Sequence, residues 1–182
     1  MVQIGRGDGS SATNGNWSAG GGASSVSGAV SDINNTTLAS LQGSPGFSEF
    51  TVGINDLTDP STTNNHTIYI SGSISTVGSK DFVLSLFEGS TRKASGTVSV
   101  TATSATEYST TLSSFTISDY ANLKLGVESD YDFLNTISPR VHELWIEIPD
   151  AGGGGDDGGA DPYTTKLGNA EFTFRGSTRI RG

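Results

Sequence analysis

Glu143, Trp145 and Glu147 stand two residues apart in a segment whose intervening positions are Leu144 and Ile146. Side chains two apart share one face of a β-strand. The spacing therefore sets an aromatic ring between two carboxylates. A ring of this kind can stack on a sugar, and carboxylates beside it can accept the sugar's hydroxyls. Tyr69, in the alternating run His66-Thr-Ile68-Tyr-Ile70, is a second candidate ring. The plainer reading of the same pattern is a solvent-facing strand edge with a half-buried tryptophan. A hydrolase would use Glu143 and Glu147 themselves, because glycoside hydrolysis needs two carboxylates flanking one bond.

Other chemistries find little support. Nucleophilic catalysis needs a base within reach of a serine and a third group to orient that base. The chain has two histidines, His66 and His142, and both fall in alternating strand patterns. There is no cysteine, which excludes disulfides and thiolate metal sites. Asp150, Asp156, Asp157 and Asp161 offer oxygen ligands of the kind calcium takes, but their spacing matches no calcium loop and reads as a solvated linker. Arg6-Gly7-Asp8, the tripeptide of integrin ligands, and the glycosylation-type triplets at Asn16, Asn34, Asn35 and Asn65 are expected by chance in this composition. We expect no catalytic residue, no metal and no cofactor.

The elements that must hold these residues are strands. Phe50, Val52 and Ile54 alternate, as do Phe82, Leu84 and Leu86, then Leu123, Leu125 and Val127, then Leu144, Ile146 and Ile148. Glu88-Gly89-Ser90-Thr91 has hairpin chemistry, Thr106–Leu112 makes a short strand, and Ser118 could cap one helical turn. Short strands with turns between them predict an all-β, antiparallel sandwich or jelly roll over residues 47–149. Residues 1–46 carry only scattered apolar side chains among Gly, Ser and Asn, and read as an extended arm. Residues 150–162 read as an acidic, Gly-rich linker, and 163–182 as a basic strand and tail.

Composition agrees. Of 182 residues, 27 are Ser, 22 Thr and 25 Gly, with 33% hydrophobic and only 16% charged, which favours strands over helices. Net charge is −9, unevenly spread. Residues 163–182 carry four basic side chains against Glu171, and residues 1–162 carry 6 basic against 18 acidic. An acidic body repels phosphate, so no nucleic-acid partner is expected of it. No apolar run is long enough to suggest a membrane partner.

Two stretches carry a resemblance. Ile54-Asn-Asp-Leu-Thr-Asp-Pro through His66-Thr-Ile-Tyr-Ile70 resembles the "L-x-D-V-x-D-P…G/N-H-x-hydrophobic" opening of a β-sandwich domain found in virion proteins of tailed phages. Phe82-Val-Leu-Ser-Leu-Phe-Glu-Gly-Ser, Glu107-Tyr-Ser-Thr-Thr-Leu and Thr116-Ile-Ser-Asp-Tyr-Ala-Asn-Leu-Lys-Leu-Gly-Val-Glu are similar to its continuation, with Glu143-Leu-Trp-Ile-Glu-Ile148 as a closing strand. The resemblance spans residues 50–149. It implies a structural protein on the capsid surface of the virion, decorating and cementing the lattice, with the major capsid protein as partner and a homotrimer as assembly. Arg175, Arg179 and Arg181, with Phe172 and Phe174 beside them, would then dock on the capsid. The alternative is a receptor- or glycan-binding module of a tail or fibre, with Trp145 and Tyr69 as stacking rings.

Overall fold

In a computed structural model, the structure describes residues 2–31, 35–42, 46–54, 57–60, 65–131, 137–149, 164–167 and 170–173. Ten strands make the body: β1 (Val2–Thr13), β2 (Trp17–Gly20), β3 (Leu38–Leu41), β4 (Gly46–Ile54), β5 (His66–Ile74), β6 (Lys80–Glu88), β7 (Thr91–Val100), β8 (Thr106–Leu112), β9 (Leu123–Tyr131) and β10 (Pro139–Pro149). A short helix, α1 (Val26–Ser31), lies between β2 and β3, and a single 3-10 turn (Tyr120–Asn122) precedes β9. A separate compact unit, Gly152–Gly182, contains a hairpin of β11 (Thr164–Leu167) and β12 (Ala170–Thr173).

All pairings in the body are antiparallel. In the first sheet β10 is central: β5 runs along one side of it, with β8 beyond, and β1 and then β3 share its other side, with β2 outermost. The second sheet is β1-β4-β9-β6-β7. β1 belongs to both. Val2–Arg6 pair with β10, and from Gly7 onward the same strand pairs with β4 through two register shifts. Where β1 leaves β10, β3 takes its place opposite Arg140 and Val141.

The core lies between the sheets and is built by period-two alternation. Ile68, Ile70, Leu144, Ile146 and Ile148 point in from the first sheet, and Phe50, Val52, Phe82, Leu84, Leu86, Leu125 and Val127 from the second. Each fully buried side chain of this size contributes roughly 1.5–3 kcal/mol. The β6–β7 hairpin turns at Gly89, whose φ of +61° suits a residue without a Cβ.

Residues 1–46, expected as an arm, contribute β1, β2, α1 and β3 to the body instead. Trp17, Val26, Ala29, Val30, Ala39 and Leu41 are buried in the common core. Trp17 meets Phe50 edge-on at 5.0 Å and donates its indole N–H to the Ser48 carbonyl at 3.0 Å. The segment makes no core of its own, but one large side chain every few residues suffices when a neighbouring sheet supplies the rest. The 3-10 turn is capped one residue later than expected: Asp119, not Ser118, accepts from the Ala121 amide at 3.0 Å.

Candidate functional site

β10 alternates cleanly at its C-terminal end. Leu144, Ile146 and Ile148 are buried, while Glu143, Trp145 and Glu147 face outward and are half-buried. On β5, Ile68 and Ile70 point in, and Thr67 and Tyr69 point out. On β8, Glu107, Ser109 and Thr111 are exposed. Strand register then lines up the outward residues in rows. Arg6, Trp145, Tyr69 and Ser109 form one row across β1, β10, β5 and β8. Ile4, Glu147, Thr67 and Thr111 form the row on one side of it, and Glu143, Ser71 and Glu107 the row on the other.

The central row is a stack. The Tyr69 and Trp145 rings are parallel within 4°, their centroids 5.1 Å apart. The Arg6 guanidinium covers the other face of Trp145 at 5.4 Å and reaches the Glu143 carboxylate at 3.5 Å. Trp145 is thus covered on both faces. Tyr69 is covered on one; its other face looks toward Ser109, a side chain too small to reach across the ring. The Tyr69 hydroxyl donates to Glu147 Oε2 at 3.0 Å. That hydrogen bond to the carboxylate is the largest reason the Tyr69 phenol is pushed above its ordinary range, with desolvation and the charges of Glu147 and Glu107 adding to it. The phenol stays protonated.

This face can hold a flat, weakly polar ring against Tyr69 while Glu107, Glu147, Thr67 and Thr111 meet hydroxyls at its edge. Thr67 and Thr111 already share a hydrogen bond at 3.0 Å. Three carboxylates stand here against one guanidinium, so the face is acidic. Four strand residues separate the Cα atoms of Glu143 and Glu147 by about 13 Å, and Arg6 holds one carboxylate while Tyr69 holds the other.

Both histidines are structural. His66 is buried, hydrogen-bonded to the Tyr120 hydroxyl at 3.0 Å and edge-on to Phe115. His142 donates from Nδ1 to the Asn35 carbonyl at 3.0 Å and accepts at Nε2 from Ser73 at 2.9 Å. Burial is the main cause that lowers its pKa below the ordinary histidine value. Among the described residues no cluster of three or more His, Asp or Glu is placed to hold a metal. No helix there is long and apolar enough to cross a membrane.

The tripeptide Arg6-Gly7-Asp8 lies within β1, where that strand changes sheets, and Asp8 accepts from the Ser10 amide at 2.7 Å. Phe172 falls in β12, opposite Thr165. Arg175, Arg179, Arg181 and Phe174, and the aspartates 150, 156, 157 and 161, lie outside the described residues. Arg6, Glu107, Ser109 and Thr111 belong to the candidate face and were not singled out for it from sequence. Cross-strand register assembles them, and a single chain's periodicity carries no signal for that.

No family model matches the sequence, and no curated protein does; the phage virion family is therefore not shown. Solved structures do resemble it. An arabinose-bound α-L-arabinofuranosidase, MgGH51, matches with a TM-score of 0.51 at 13% identity, covering 76% of this chain. This chain spans only 23% of that enzyme's length. A truncated AlyQ with CBM32 and alginate lyase domains matches with a TM-score of 0.48 at 15% identity, over 81% of this chain and 34% of its own. The CBM36-1 domain of a multidomain xylanase from the hindgut metagenome of Trinervitermes trinervoides matches with a TM-score of 0.41 at 15% identity, over 84% and 99%. At these identities the likeness is one of β-sandwich fold.

Proposed function

We propose that the chain is a glycan-binding module that takes a neutral sugar unit on the outer face of its first sheet. The observation that carries this reading is the Arg6–Trp145–Tyr69 stack, which ends in an aromatic face left open toward Ser109 and flanked by Glu147 and Glu107. A ring held rigidly by its neighbours loses little freedom on binding, which is what a shallow sugar site needs. The acidic surround disfavours uronate or sulfated chains, because a second anion beside Glu107 and Glu147 meets like charge in a partly dry setting. Tyr69 is the stacking residue in this arrangement, and Trp145 is its support.

That the fold likeness includes an arabinose-bound enzyme is in keeping with a sugar ligand, but the reading rests on the face itself. Placement on a virion, whether as capsid decoration or as part of a tail or fibre, rests on the sequence resemblance alone. The test is a calorimetric screen of neutral pento- and hexo-oligosaccharides against the wild-type chain and Tyr69→Ala. Saturable binding weakened at least about tenfold (~1.4 kcal/mol) in the variant supports the reading. Binding that survives Tyr69→Ala unchanged, or none across the screen, overturns it.

A further inference from the structure

A cleft of about 360 Å³ opens on the outer face of the second sheet, away from the Tyr69 row. Its lining includes Thr13, Glu49, Thr51, Phe87, Ser90 and Lys124. Beside the cleft β9 carries Gly126 where its neighbours carry side chains: Gly126 pairs with Thr51 on β4 and Ser85 on β6. A Cβ at this position would sit 2.6 Å from Phe87 Cε2 and 3.1 Å from Glu49 Oε1. The ring and the carboxylate have closed over the bare backbone and form one wall.

That wall is held in place by a single side chain. The Arg92 guanidinium lies 5.4 Å over the Phe87 ring and binds Glu49 Oε1 at 2.6 Å and Glu128 Oε2 at 3.2 Å. Arg92 faces two carboxylates, so Glu49 and Glu128 together keep one negative charge beyond what it balances. Lys124, half-buried on β9 and opposite Phe87 in register, also lines the cleft. Arg6, Lys80, Arg92 and Lys93 each pair with a carboxylate, whereas Lys124 pairs with none among the described residues. Around it are the hydroxyls of Thr13 and Thr51, which face each other at 3.3 Å, and Ser90 on the hairpin turn.

An ammonium with no carboxylate partner, beside three hydroxyls, one apolar ring edge and a Glu49 carboxylate already bound by Arg92, suits a ligand that is small, hydroxylated and anionic. The volume has room for one sugar residue. We propose that this cleft is a second ligand site, for an anionic monosaccharide whose charge pairs with Lys124 and whose hydroxyls meet Thr13, Thr51 and Ser90. The anion is a sugar carboxylate or a sugar phosphate; Lys124 acts as a point charge and accepts either. This inference does not depend on the Tyr69 face, and its preference for charge is the reverse of that proposed there.

The test titrates galacturonate, galactose 6-phosphate and galactose into the isotopically labelled chain, following amide shifts by NMR. Saturable shifts confined to Gly89, Ser90, Lys124 and Thr51 are expected for at least one anion, and galactose should bind at least about tenfold more weakly. Whichever anion binds more tightly identifies the source of the charge. Lys124→Met should cost about tenfold in affinity for that anion, while Lys124→Arg retains it; the pair separates lost charge from lost fold. Overturning results are no saturable shift at these residues with either anion, galactose binding as tightly, or unchanged affinity in a folded Lys124→Met variant.

Discussion

The two outer faces of this sandwich differ although the same core lies behind both. On the first sheet, the outward residues of four strands build an aromatic stack bordered by carboxylates, with Arg6 as the one cation in the row. On the second, the centre of β9 is a bare glycine, and an arginine ties two glutamates and a phenylalanine around a cleft. Alternation explains how both are possible. Inward positions are fixed by packing, since Ile146 or Leu84 can hardly change without a cavity or a clash. Outward positions carry no such constraint, so each sheet presents chemistry independent of the other's. The fold supplies two boards, and function is written on whichever outward rows the register aligns.

The comparison assumes that the two faces share one cooperative body, and the largest expected effect tests that assumption. Ile146→Ala empties a fully buried position on β10 and should destabilise by about 2–5 kcal/mol. Hydrogen exchange should show β10 and β6 losing protection together; β6 remaining protected while β10 opens would break the comparison into two separate units. Gly126→Ala comes next. Its new methyl drives against Phe87, with a penalty of about 1–3 kcal/mol. The Tyr69 face should keep its sugar affinity within about twofold, and a larger loss would mean that the faces communicate.

Acid should act on the first sheet, because His142 lies in its central strand. Burial holds the folded-state pKa of His142 below its unfolded value of 6.5. As pH falls through 6.5 the unfolded chain takes up a proton that the folded chain resists, so stability is full above that value and declines below it. Urea unfolding from pH 7.5 to 5 should show this decline, and His142→Gln should flatten it; an equal slope in the variant would put the acid sensitivity elsewhere. At the alkaline end Tyr120 acts in the same body, its phenol pushed up to about 12 mainly by desolvation. Stability should fall once the unfolded tyrosine ionises near 10, and Tyr120→Phe should lessen that fall. The smallest effect is expected from Arg6→Ala, about 0.5–1 kcal/mol, because the guanidinium is partly exposed. Trp145 emission should shift to the red as its covered face meets water.

Much of the sandwich was legible. The alternation at 50–54, 82–86, 123–127 and 144–148 marks inward faces that the structure buries, and Thr106–Leu112 is a strand with those same ends. Trp145 and Tyr69 stood out as rings, but nothing local says that residues 76 positions apart stack within 4° of parallel. Nor does it say that Arg6, conspicuous for its tripeptide, closes the far side of the tryptophan. The misread arm has a similar cause. Trp17, Val30 and Leu41 are isolated in sequence, and an apolar residue alone in a polar segment looks solvated until the opposite sheet that covers it is known. The cleft beside Phe87 was invisible for a related reason: its walls come from β1, β4, β9 and the β6–β7 hairpin, which no single stretch of sequence brings together.

β1 begins where β10 ends, with Val2 directly opposite Pro149. The two ends of the body therefore leave side by side from one end of the β1–β10 ladder. Tension applied by chain attached at both points would part the β1–β10 ladder one hydrogen bond at a time, as a zipper opens, instead of loading the whole ladder at once. The body should yield at low force when pulled from its ends and resist far more strongly when pulled across its sheets. Neighbouring ends also make it a cassette: the body can sit within a loop of a larger chain while asking the host to bridge little more than the gap between two adjacent strands, about 5 Å.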